Sequence, residues 1–247
     1  PDDSGVWESE TDMFDTWFSS GQWPYSTLGG PGGNDFDNYY PTQMMIHARD
    51  ILFWWSARML MLGLYRTGKV PFNTIFLTGM ILAPDGSKMS KSKGNGVEPQ
   101  EIFDKYGADA LRLWYYTDAL PGNNVPIREE KIKGNRNFVN KVWNASRFIL
   151  MNIEEEEVSE IREHEVERTE RVIKTEEHIS KVKGYLDKYQ FNLGAEYIRE
   201  FFWHQLCDVW IEEIKEEIKE KEVGSVERIA KLSELLHILK LNLRIMH

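Results

Sequence analysis

All nine prolines of this 247-residue chain lie at or before Pro126, and from there to the end strong helix formers dominate. Proline removes a backbone donor and clashes inside a helix, so a proline-free stretch of this length can run as long helices while the first half must turn often. The switch falls at Pro121-Gly122-Asn123-Asn124-Val125-Pro126, a loop signal. The sequence predicts two domains, an α/β layer over 1–125 and an all-α helical bundle over 126–247.

Within the first half, Thr74-Ile75-Phe76-Leu77-Thr78 is β-branched and aromatic between Pro71 and Gly79, and reads as a buried strand. Ile51 to Leu64 is too long for a strand and reads as a largely buried helix. Glu98-Pro99-Gln100-Glu101 opens another, with proline in the first turn and acids at the positive end. In the second half, Ile132, Val139, Val142, Ser146 and Ile149 share one helical face. Leu193, Tyr197, Phe201, Leu206, Val209, Trp210 and Ile214 form another, and Ile229, Leu232, Leu236 and Leu239 a third on a helix from about 226 to 245. Glu154 to Glu157 reads as a charged turn or frayed end.

Hydrophobic residues make up 41% of the chain, enough for a core, and wholesale disorder is excluded. The single cysteine, Cys207, on an apolar helix, predicts a buried inert thiol; one cysteine excludes an internal disulfide or multi-cysteine zinc site and suits a reducing compartment. No apolar run reaches the roughly 18 residues that span a bilayer. Residues 1–5 carry no initiator methionine, basic region or apolar region, so no signal peptide is expected and the chain reads as part of something longer. The formal charge is −10, but it is uneven: residues 1–125 net −6, 126–150 net +4 and 151–247 net −8. The basic island suits a phosphate contact or one solvated helix face.

Ala83-Pro84-Asp85-Gly86-Ser87-Lys88-Met89-Ser90-Lys91-Ser92-Lys93-Gly94-Asn95 carries the most chemistry. A Pro-Asp-Gly turn and flanking glycines make a loop able to move between two states, and its lysines are point charges for phosphate oxygens. Closing such a loop on a departing pyrophosphate stabilises the transition state more than the ground state. A lysine-rich run alone also suits a solvated surface loop.

Lys88-Met89-Ser90-Lys91-Ser92 is identical to the KMSKS signature, and in it the chain resembles class I aminoacyl-tRNA synthetases. Asp15-Thr16-Trp17-Phe18-Ser19-Ser20 with Trp23-Pro24-Tyr25-Ser26 resembles the DTWFSS…WPFS segment of the family's valyl branch. His47-Ala48-Arg49-Asp50-Ile51-Leu52-Phe53-Trp54-Trp55 with Ala57-Arg58-Met59 resembles the GxDIIFFWVARM helix, Ala48 standing where the family has glycine. Lys105-Tyr106-Gly107-Ala108-Asp109-Ala110-Leu111-Arg112, Gln190-Phe191-Asn192 and Phe201-Phe202-Trp203-His204 extend the likeness into the anticodon-binding helices, from about Asp12 to Trp210.

The resemblance implies the second half of a Rossmann-like nucleotide-binding fold followed by a truncated anticodon-binding bundle. It implies activation of valine with ATP and transfer to tRNA(Val) in the cytoplasm. Lys88 and Lys91 would be catalytic and, with Ser90, bind the ATP phosphates; Asp50 would hold the ribose, and Gly79 and Ile81 would flank the adenine by main-chain contacts. Trp17, Ile51 and Trp55 would wall the valine pocket, and His47 would pack or hydrogen-bond. Arg128, Lys131, Lys133, Arg136, Lys141 and Arg147 would contact tRNA. Magnesium would come with ATP, and no protein-bound metal or membrane partner is expected. The family's HIGH motif, editing insertion and C-terminal coiled coil are not found in the sequence, so the missing N-terminal catalytic half is an expected partner and the chain alone is expected to be inactive. Two alternatives stay open: an RNA-binding module without catalysis, and a class I synthetase for another aliphatic amino acid.

Overall fold

The structure is a computed structural model that describes residues 8–118 and 120–247; residues 1–5, discussed above, lie outside the described residues. Contacts divide the chain into two compact units, one running to Met80 and including Pro121–Asn124, the other comprising Ile81–Leu120 with Val125–His247. These cuts fall at places other than 125/126.

In the first unit, helix α1 (Thr16–Ser26) starts where the Asp15 carboxylate accepts the Trp17 N–H at 2.7 Å, and the short α2 (Asn34–Tyr39) follows. Strand β1 (Thr42–Ala48) leads through a 3-10 turn (Arg49–Ile51) and a π-helical turn (Leu52–Ser56) into α3 (Ala57–Thr67) and then β2 (Phe72–Thr78). β1 and β2 pair in parallel, with Ile46 opposite Phe76 and Ala48 opposite Thr78. Met45 and His47 point inward and Ile46 outward, the period of two that a half-covered strand requires. Small cores form around Met45, Met59 and Phe72 and around Tyr25, Phe36 and Tyr40.

Two expectations are corrected here. Thr74–Thr78 of β2 are half-buried, because among the described residues β1 is the one strand that pairs along them. The Ile51–Leu64 helix exists, but it is not largely buried. Only Ser56, Met59 and Gly63 are enclosed along it, while Phe53, Trp54, Met61 and Leu64 are exposed, since α1 and β1 cover a single side.

In the second unit, β3 (Ile81–Leu82) pairs in parallel with β4 (Val125–Pro126). Helices α4 (Pro99–Tyr106) and α5 (Ala108–Asp118) enclose Ile102, Leu111 and the fully buried Trp114 against Ile127 and Ile132. Five further helices follow: α6 (Glu129–Met151), α7 (Val158–Glu163), α8 (Glu170–Leu186), a long rod and α11 (Val226–Met246). The rod joins α9 (Phe191–Glu200), a π-helical stretch (Phe201–Trp210) and α10 (Ile211–Lys219). Its buried stripe is Phe202, Leu206, Trp210, Ile214 and Ile218, packed with Ile149, Leu232 and Ile238.

Leu193 and Val209, expected on that stripe, are exposed. Val209 lies in the π stretch, whose wider i→i+5 turn rephases the helix, so a face extrapolated at α spacing drifts off the core; Leu193 precedes that stretch, on α9. Of the two readings of Glu154 to Glu157 the charged turn holds and the frayed end does not: it is a capped 3-10 turn, and Glu157 is fully buried. Among the described residues no helix is long and apolar enough to cross a membrane.

Candidate functional site

Asp50 and Gly79 stand just beyond the carboxyl ends of β1 and β2, which are adjacent and parallel. That edge is where open α/β sheets bind ligands. Asp50 is exposed in its 3-10 turn, and its neighbour Ile51 is half-buried. A Cβ on Gly79 would overlap the Asn123 carbonyl, so only glycine lets the Pro121–Asn124 segment pass this close. The segment is pinned there: Gly122 N–H donates to the Leu77 carbonyl at 3.0 Å and Met80 N–H to Asn124 Oδ1 at 2.9 Å. Ala48 has extended backbone, φ −69° and ψ 146°, which alanine adopts without strain.

Trp55 leaves the π turn half-buried, and its indole N–H donates to the Ser20 carbonyl at 3.2 Å. Its ring lies 6.5 Å from Trp23 and 6.1 Å from His47. His47 is buried and bonded to Ser56 Oγ at 2.6 Å, a hydrogen-bonding histidine rather than an open base. Trp17 is half-buried in the first turn of α1. Trp23 entered the sequence reading only as part of the Trp23-Pro24-Tyr25-Ser26 segment, with no role at the site, and Ser56 was not singled out. No sequence pattern pointed to the inward-facing His47–Ser56 pair, because β1 becomes a strand by pairing with β2.

The signature loop belongs to the second unit, with Ile81 at its root in β3. Gly86 N–H donates to the Ala83 carbonyl at 2.8 Å and Ala83 N–H to Ser87 at 2.9 Å, closing the turn. Hydrogen bonds from the Ser87 backbone and side chain hold the Asp85 carboxyl below its ordinary range. Asn95 is the pin that sequence reasoning overlooked. Its carboxamide accepts from Ser90 N–H at 2.9 Å and donates to Ser87 Oγ at 2.9 Å and the Lys88 carbonyl at 3.2 Å. An asparagine just after a glycine in a turn-rich stretch was the available signal. Lys91–Lys93 forms a 3-10 turn closed by Gly94 at φ +61°, a left-handed position suited to glycine. A shallow recess of about 580 Å³ is lined by Met89, Ser90, Lys91, Gly94, Gly96 and Glu98. Lys88 and Lys91 are exposed, and Ser90 is half-buried.

The expected RNA-contacting cations all lie on or beside α6, but they divide. Lys131 is ion-paired to Asp118 at 2.6 Å and Lys141 to Asp208 at 3.0 Å. Arg128, Lys133, Arg136 and Arg147 are exposed. Among the described residues no group of three or more His, Cys, Asp or Glu could hold a metal ion.

A family model of class I tRNA synthetases (I, L, M and V) matches residues 2–127, and a model of the anticodon-binding domain of tRNA ligase matches residues 169–247. The chain is similar to curated proteins named valine–tRNA ligase. That of Bacillus subtilis (strain 168) is 41% identical over 220 residues, 87% of this chain and 25% of the relative. That of Clostridium acetobutylicum is 40% identical over 212 residues, 84% of this chain and 24% of the relative. That of Staphylococcus carnosus (strain TM300) is 38% identical over 253 residues, 100% of this chain and 29% of the relative. The chain thus spans about a quarter of the length of these relatives. Among solved structures, the LeuRS–tRNA–LeuAMS ternary complex of Agrobacterium radiobacter K84 superposes with a TM-score of 0.67 at 17% identity, covering 100% of this chain and 32% of that one. The Mycobacterium tuberculosis methionyl-tRNA synthetase in complex with methionyl-adenylate gives 0.65 at 20% identity, covering 90% and 44%. At these identities the likeness concerns the fold, a partial Rossmann-like layer followed by helices.

Proposed function

The chain belongs to the class I tRNA synthetases (I, L, M and V), and from that premise we propose that it is the signature-loop half of a valine–tRNA ligase, active when joined to the rest of the catalytic fold. The observation that carries this reading is roughly 40% identity to valine–tRNA ligases over most of the chain, supported by a complete KMSKS string on a loop that Asn95 holds in shape. Residues 1–125 supply the catalytic part and 126–247 the RNA-binding part, in the cytoplasm.

In this reading the valine carboxylate attacks the ATP α-phosphorus. A carboxylate–phosphorus bond forms, the bond to the bridging oxygen breaks, and pyrophosphate leaves with that electron pair. Lys88 and Lys91, with Ser90 between them, bind the phosphates and neutralise charge that grows on the leaving group, which lowers the barrier more than it tightens the ground state. Asp50 accepts hydrogen bonds from the ribose hydroxyls, and the main chain at Gly79 and Ile81 flanks the adenine. Trp17, Ile51 and Trp55 select a branched aliphatic side chain by overlap, a device that rejects larger residues well and threonine poorly. A terminal ribose hydroxyl of tRNA(Val) then attacks the adenylate carbonyl and AMP departs. Magnesium enters with ATP as part of the substrate.

Amino-acid-dependent ATP–pyrophosphate exchange, measured on this chain joined to the remaining catalytic segment of a relative, tests the reading. Valine should drive exchange, and Lys91→Ala should lower kcat by about 10²-fold with a smaller change in the KM for valine. Exchange driven by isoleucine or leucine in preference to valine, or unchanged by Lys91→Ala, would overturn it.

A further inference from the structure

His47, near the carboxyl end of β1, is buried, and Ser56, the last residue of the π turn, is wholly enclosed. The imidazole joins two points of the chain: Nε2 lies 2.6 Å from Ser56 Oγ, and Nδ1 lies 2.7 Å from the Ala48 carbonyl oxygen. A carbonyl only accepts, so Nδ1 carries a proton and donates. Nε2 is then the acceptor, and the Ser56 hydroxyl donates to it. The segment closed by these bonds, 48–56, carries Asp50 and Ile51 in its 3-10 turn and Trp55 in its π turn. Trp55 is tied a second time, by its indole N–H on the Ser20 carbonyl, and its ring lies 6.1 Å from that of His47. Packing alone does not call for a hydroxyl here: the family segment GxDIIFFWVARM has valine where Ser56 stands, and a buried hydroxyl or imidazole is costly unless bonded. What the polar pair adds is direction, because it fixes the ring, the Ala48 peptide and the end of the π turn together.

We propose that His47 is a positioning residue: as the Nδ1–H tautomer it clamps Ala48 to Ser56, so that the Asp50 carboxylate and the Trp55 indole keep one mutual placement and nucleotide and amino acid are received by a single stiff turn. The inference rests on the site reading above and goes beyond it, since there His47 touches neither substrate and Ser56 has no role. Both subsites hang on the same two bonds, so loss of either bond loosens both. A role as proton-transfer base does not suit His47, because both ring nitrogens are engaged within the protein.

Two measurements test the clamp. In the full chain labelled with 15N-histidine, with the His47 signals identified by their absence from His47→Gln, NMR at neutral pH should show Nδ1 protonated and Nε2 bare; any other protonation pattern overturns the proposal. In the chain joined to the remaining catalytic segment of a relative, ATP–pyrophosphate exchange is followed with whichever amino acid drives it, and folding of each variant is checked by thermal melting. Ser56→Ala should raise the KM for ATP and the KM for the amino acid by a common factor of roughly 10 with a smaller change in kcat, the pattern of lost uniform binding. A rise in only one KM, or wild-type values of both whatever the melting temperature, makes the pair a structural contact alone and overturns the clamp. Exchange driven by an amino acid other than valine fells the ligase reading and leaves the clamp to be judged on these same constants.

Discussion

His178 is 2% exposed on α8, its ring stacked 3.9 Å from Phe201 and tilted 4.8 Å from Tyr197, and among the described residues neither ring nitrogen has a hydrogen-bond partner. Burial, helped by the Lys181 charge, pushes its pKa down to about 4. Above about pH 6.5 the imidazole is neutral in folded and unfolded chain alike, so its contribution to stability is fully present. Between 6.5 and 4 the unfolded chain takes up a proton that the folded one refuses, and stability falls with pH by on the order of 2–3 kcal/mol. His178→Phe keeps the stack and removes the titration. Urea midpoints measured from pH 7.5 to 4.5 should therefore fall less in the variant, and parallel curves would refute this account. Glu157 shows the opposite balance. Burial pushes its carboxyl up, but Arg228 Nε at 2.8 Å and the N–H groups of Gly224 and Glu154, both at 3.0 Å, outweigh it and hold the pKa below the ordinary value. Glu157→Gln would leave Arg228, itself 9% exposed, without its counter-charge. A loss of about 3–5 kcal/mol is expected in urea unfolding at pH 7. A run of four glutamates hides this residue from a sequence reading, because only a partner 71 positions away singles one of them out. Cys207 was legible, since an apolar helix around a lone thiol already implies burial. The structure buries it and pushes its pKa up to about 11.

Elements whose evidence is local were readable from the chain. The end signals of α4 and the apolar periodicity of α6 and α11 foretold helices that the structure contains. β1 was not, because Thr42-Gln43-Met44-Met45-Ile46-His47-Ala48 has few β-branched residues and becomes a strand by pairing with β2. The π stretches were hidden for a related reason: nothing in a 3.6-residue pattern announces a wider turn, so Val209 was added to a stripe whose Leu206, Trp210 and Ile214 the structure does bury. At the β2 end the prediction concerns backbone against backbone. Alanine at Gly79 must push either the strand end or Asn123 aside, and neither is a flexible side-chain tip. Overpacking of this kind costs about 1–3 kcal/mol. Gly79→Ala should lower Tm by several degrees, whereas Gly86→Ala, at a turn with open space but φ +82°, should cost less than a steric collision. Equal melting of wild type and Gly79→Ala would show that the Pro121–Asn124 segment yields freely.

On the scale of the molecule, the resemblance located both the synthetase layer and the anticodon-binding helices, while the placement of α4 and α5 in the compact unit of the bundle was not legible, because it depends on Trp114 and Ile132 meeting across a loop. The two parallel sheets have two strands each among the described residues, and the chain corresponds to about a quarter of each relative. Adenylate formation demands that phosphate-neutralising lysines, a ribose acceptor and a side-chain pocket act on one substrate pair at once, and misplacement by an ångström costs orders of magnitude in rate. The relatives' remaining length is where the further groups of such a site would come from. The purified chain is therefore expected to give no valine-dependent ATP–pyrophosphate exchange, yet to bind a tRNA transcript with an affinity that falls steeply with salt, since cations on α6 need no completed active site to meet phosphates. Joining the missing catalytic segment of a relative should restore exchange without changing that salt slope. Exchange by the chain alone, abolished by Lys91→Ala, would mean that this quarter already assembles the whole reaction.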